Sequence, residues 1–60
     1  MSDHERDETI AYLERKVAAG RKLAADPEQR DDMRVAFRRI ADRDQVRLGE
    51  LCRAREEARR

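Results

Sequence analysis

Tryptophan is absent, and Tyr12 and Phe37 are the only aromatic residues in a chain of 60. Large rings therefore cannot dominate a core, and the aromatic-basic interleaving used for stacking on nucleic-acid bases is missing. A single cysteine, Cys52, excludes an intramolecular disulfide framework. A single histidine, His4, leaves too few ligands for a structural zinc set. Ser2, Asp3 and His4 would form an amino-terminal copper or nickel motif only after removal of Met1. The plain reading of His4 is an exposed residue in the first turn of a helix. No apolar run is long enough to span a bilayer. The N-terminus is acidic where a signal peptide would be basic and then apolar, so no membrane is expected and the setting is soluble and cytoplasmic.

Chemistry is equally sparse. The chain carries no Gly-rich phosphate loop, no serine-nucleophile motif and no Glu-x-x-His di-metal motif. The run from Ile40 to Leu48 distantly resembles the first helix of chorismate mutases. It has no matching set of active-site residues, and the chain is too short for that enzyme, so no family is assigned. The expectation is a protein that is not an enzyme and holds no cofactor or metal.

What is present is charge laid on helical periodicity. Charged residues make up 48% of the chain against roughly 25% in ordinary domains, and hydrophobic residues 38%. Arginine outnumbers lysine thirteen to two, and alanine is frequent, a mix that points to a GC-rich bacterial source. Residues 1–32 hold nine acidic and six basic side chains, a balance of −3, whereas residues 33–60 hold five and nine, a balance of +4. Such opposite segments attract in an antiparallel hairpin or between subunits.

The fold expected is all-α: one antiparallel helical hairpin, with helix 1 over about 3–25, a turn at 26–27 and helix 2 over about 27–58. Ser2 and Glu5 have capping-box spacing, and Asp3, Glu5, Asp7 and Glu8 put negative charge at the positive end of the helix dipole. Ile10, Leu13, Val17, Gly20 and Ala24 recur at three- and four-residue steps and form one face. Gly20 in a helix costs about 1 kcal/mol relative to alanine, which a close helix approach would explain. Asp26 before Pro27 disfavours helix and suits an N-cap followed by the first position of helix 2. Met33, Ala36, Phe37, Ile40, Ala41, Leu48, Leu51 and Cys52 then make a broad apolar face, interrupted by Asp44 and Arg47 as a possible polar layer. The alternative is a three-helix bundle with a break near Asp42 to Asp44.

Length turns this into an expectation about partners. Helix 1 would span about 33 Å and helix 2 about 48 Å, which leaves Leu48, Leu51 and Cys52 beyond the reach of helix 1. A domain this small buries only about 60% of its unfolded surface, and oligomerisation is a common remedy. The interface expected is Leu48, Leu51 and Cys52, with Tyr12 and Leu23 on a second flank. Two hairpins would pair as a homodimeric four-helix bundle with coiled-coil-like packing. The function expected is a protein–protein interaction or regulatory and adaptor module. The alternative is a small nucleic-acid-binding regulator using the arginine-rich face of helix 2, with Arg53, Arg55, Arg59 and Arg60 as phosphate contacts. Interspersed acidic residues favour the first reading.

Overall fold

The structure is a computed structural model that describes residues 2–60; Met1, whose removal the copper motif requires, lies outside them. Two helices, α1 (Asp3–Ala24) and α2 (Asp31–Ala58), pack against each other as a hairpin, with no strand among the described residues. Ser2 caps α1 as its position suggests. Its backbone is extended, and its Oγ accepts the Glu5 N–H at 3.2 Å. Acidic Asp3 and Glu5 in the first turn and basic Arg21 and Lys22 in the last complement the helix dipole.

The connection differs from the expected two-residue turn. Asp26 does not cap α2. Its Oδ1 accepts the Glu28 N–H at 2.9 Å and its carbonyl accepts the Gln29 N–H at 3.2 Å, so residues 26–29 close a turn on themselves. Asp at the first and Pro at the second position of a turn use the same local geometry as Asp-Pro at a helix start. Arg30 is then extended (φ −66°, ψ 150°), and α2 begins at Asp31 instead of Pro27. Asp31 and Asp32 supply negative charge to its first turn.

From there α2 is continuous for 28 residues, passing through Asp42 and Asp44 without a break, so the three-helix alternative does not form. With no glycine or proline between residues 28 and 48, nothing in the backbone opposes continuation.

Extents of 44 × 15 × 14 Å describe a narrow rod of just two helices, so only the seam between α1 and α2 escapes solvent. Ile10, Leu13, Leu48 and Leu51 form the core cluster, with half-buried Cys52 packed against it. Val17 and Ala41 continue the seam towards the turn. There the helices come close: a Cβ placed on Gly20 would lie 3.2 Å from the Ala41 Cβ and 3.5 Å from the Phe37 carbonyl oxygen. The cost of this glycine in a helix is offset by that approach.

Register follows from the same contacts. Gly20 lies against Ala41, Lys16 reaches Asp44 at 3.5 Å, and Asp7 reaches Arg55 at 3.7 Å. Each step back along α1 thus matches one step forward along α2, and Ile10 and Leu13 arrive beside Leu51 and Leu48. Leu48 and Leu51 are buried within one chain, which corrects the expectation that they overhang. The surplus length of α2 lies at its other end, in the first turns after Asp31. A six-residue connection over 25–30, in place of two residues, moves the whole register.

One seam position is polar. Asp44 is only 7% exposed, and its Oδ2 is buried without a hydrogen bond, 3.5 Å from Lys16 Nζ. The expected Asp44–Arg47 layer is replaced by this cross-helix pair, while Arg47 turns outward to Glu50 at 3.9 Å. A buried carboxylate with an incomplete shell costs desolvation that one half-exposed lysine does not return. Asp44→Leu is therefore expected to raise the urea midpoint, read by circular dichroism at 222 nm, by about 1 kcal/mol of stability or more. A lowered midpoint would show that the pair stabilises the hairpin on balance.

Candidate interaction surface

A two-helix seam hides one stripe per helix, and the large apolar residues outside those stripes are the candidates for contact with another molecule. Tyr12 is 55% exposed, Met33 41%, Ile40 40%, Val35 51% and Val46 63%. The last two project from the back of α2, away from α1. The other three cluster on one side.

That clustering follows from helix geometry. At 100° per residue, Tyr12, Lys16 and Leu23 on α1, and Met33, Ile40 and Arg47 on α2, are rotated from the seam in the same sense. In an antiparallel pair, equal rotational sense means the same side of the rod. Lys16 and Asp44, displaced this way, meet at 3.5 Å. Arg21 and Asp42, displaced the opposite way, meet at 3.6 Å on the other side.

Half-buried Leu23, with Ala19, Lys22 and Asp26, borders an open hollow beside the connection. Ile40 stands across from Leu23, and Met33 lies beyond it on the part of α2 that exceeds α1. The apolar part of this side thus occupies the connection end. Farther along comes a basic band of Lys16, Arg43 and Arg47, and beyond it Glu5, Glu8 and Glu50. The Lys16 ammonium is held over the Tyr12 ring, 5.9 Å from its centroid, as well as beside Asp44.

No match is found among protein-family models, curated proteins or solved structures.

Of the residues expected at an interface, Tyr12 and Leu23 lie on this exposed side, whereas Leu48, Leu51 and Cys52 belong to the hairpin's own seam. Met33 and Ile40 have the exposure that the sequence argument assigns to that group. Their spacing, seven apart on one helix, is visible in the sequence, but periodicity alone assigns both to the broad apolar face of helix 2.

The basic residues divide by location. Arg53, Arg59 and Arg60 are exposed, and Arg55 is partly covered and paired with Asp7. Arg55 and Arg59 share a hollow with Asp3, Arg6 and Asp7, so this end of the rod mixes both signs. Arg21, Arg34 and Arg38 gather around Ala24 on the side opposite the apolar one. Arg34 is paired with Asp31 and Arg21 with Asp42. His4 pairs with Glu8 at 2.9 Å on the exposed first turns of α1. No three His, Cys, Asp or Glu side chains among the described residues gather as a metal site requires. No helix among them is long and apolar enough to cross a membrane.

Proposed function

We propose that this chain is a non-catalytic protein–protein interaction module, regulatory or adaptor in role, which acts by helix–helix contact through the side bearing Tyr12, Leu23, Met33 and Ile40. In this reading two hairpins pair through that side as a four-helix bundle. The observation that carries it is the exposure of Met33 and Ile40 beside half-buried Leu23 at the connection end, with exposed Tyr12 farther along the same side of a rod whose own core is a single seam. Scattered exposed hydrophobics are ordinary, but apolar side chains grouped on a small domain, as Leu23, Met33 and Ile40 are, mark a contact surface. Pairing would bury these side chains and thicken a core that is thin for a domain of this size.

Ile40 supplies the test, because it is exposed in the hairpin and its loss leaves the seam intact. Sedimentation equilibrium of the parent chain at micromolar concentration is expected to show self-association. Ile40→Asp is expected to be monomeric with unchanged helix content. A parent chain that is folded and strictly monomeric at these concentrations would overturn the reading. The competing role, nucleic-acid binding along the arginines of α2, has its own signature: affinity that falls steeply with salt on duplex or single-stranded probes.

A further inference from the structure

Packing alone gives no reason for a carboxylate in the seam. Asp44 is buried and its Oδ2 has no hydrogen bond, while its seam neighbours on α2, Ala41 and Leu48, are apolar. Val17 lies level with it on α1, since Gly20 faces Ala41 and Ile10 and Leu13 lie beside Leu51 and Leu48. Its one cation on α1 is Lys16, 3.5 Å from Oδ2 and held over the Tyr12 ring. A leucine here would carry the core through without a break, so the acid serves something other than stability.

Apolar spacing leaves open how far α2 slides along α1. Seam residues recur every three or four positions on both helices, so a slip of one step sets apolar against apolar again. If the surplus of α2 is drawn back along α1, Ile10 meets Leu48 and Val17 meets Ala41. The notch at Gly20 receives Phe37 in place of Ala41, and Leu51 meets the stem of Arg6, a side chain only 14% exposed. Asp44 has no such replacement. It falls against Leu13, the place of Lys16 is taken by Tyr12, and Lys16 is left about 5 Å behind at 1.5 Å per residue. No other cation takes over. Arg15 and Lys22 lie on the outer face of α1, Arg21 lies on the opposite side of the rod, and Arg6 is two turns away. Arg43 and Arg47 share a helix with Asp44 and travel with it, so they favour no register; Arg47 is turned to Glu50.

We propose that the Asp44–Lys16 pair is a register lock: only in the present register does the buried carboxylate have a cation from the other helix. Its consequence lies at the connection end. The slip would carry the first turns of α2 back beside the end of α1 and cover Met33, which the present register leaves 41% exposed. A single buried polar group that fixes register at a cost in stability is the best-attested use of such groups in paired helices. The lock rests on the hairpin alone and holds whether or not the chain self-associates.

Two nitroxide labels report the register. Glu8 and Arg39 are exposed, on different helices and far apart along the rod. With Glu8→Cys and Arg39→Cys in a Cys52→Ala background, the labelled positions are about 21 Å apart along the rod, and one step of slip shortens this by about 5 Å. Pulsed electron resonance, on labelled chain diluted with unlabelled chain, is expected to give one distance while Asp44 and Lys16 are present. Asp44→Leu is expected to add a second population about 5 Å shorter, with helix content retained. Asp44→Asn keeps the shape and removes the charge, and it is expected to act in the same direction; it decides the matter if the leucine variant unfolds. One unchanged distance in the folded variants would overturn the lock. Two distances in the chain that keeps both Asp44 and Lys16 would overturn it as well.

Discussion

Leu51→Asp is expected to abolish the helical fold, with loss of the 222 nm circular dichroism signal at all concentrations and no recovery on concentrating the sample. Leu51 is 7% exposed and belongs to a cluster of four residues with Ile10, Leu13 and Leu48. The substitution removes about 2–5 kcal/mol of burial and cavity-free packing, and it places an unpaired carboxylate in the seam. A chain of this length has about 3–9 kcal/mol of stability in total. Arg55 is one turn further along α2, but its guanidinium is turned to Asp7 at 3.7 Å. The loss should therefore appear as unfolding. A folded, merely monomeric Leu51→Asp chain would mean that this end of α2 is an intermolecular surface and that the hairpin register is wrong.

Gly20→Leu is expected to have the second largest effect, a fall in stability of about 3 kcal/mol in thermal or urea unfolding. Even one added carbon at Gly20 meets Ala41 Cβ at 3.2 Å, so the remaining carbons of leucine have no space unless α1 and α2 separate at the connection end. The control is the other glycine. Gly49 has nothing within 4 Å of an added Cβ, so Gly49→Ala should gain about 1 kcal/mol through helix propensity alone. If Gly20→Leu were as harmless as Gly49→Ala, close approach would not be the reason for glycine at position 20.

Elements governed by local physics were legible in the sequence. The Ser2 cap, the apolar spacing of α1, the passage of α2 through Asp42 and Asp44, and the close approach at Gly20 each depend on neighbours a few residues away or on helix period. The start of α2 was not legible, because Asp26-Pro27 has the same local signature whether the chain continues as helix or closes a turn. That ambiguity of four residues had a large consequence. It reversed which end of α2 projects beyond α1, moving Leu48 and Leu51 from candidate interface to core and leaving Met33 and Ile40 outside.

Charge shows the same division. The segment balances of −3 and +4 suggest acidic α1 against basic α2, yet only Asp7–Arg55 has that sense, and Lys16–Asp44 and Arg21–Asp42 run the other way. Long-range pairing is decided by which side chains the register brings level, not by net charge summed over a segment. The exposed apolar side is legible only after that register is known, since Tyr12, Leu23, Met33 and Ile40 come to one side of the rod through the packing of two helices. Composition and periodicity by themselves determined that the chain is two amphipathic helices with a thin core. The connection, whose length and direction local propensity does not specify, decided which residues are inside and which remain for a partner.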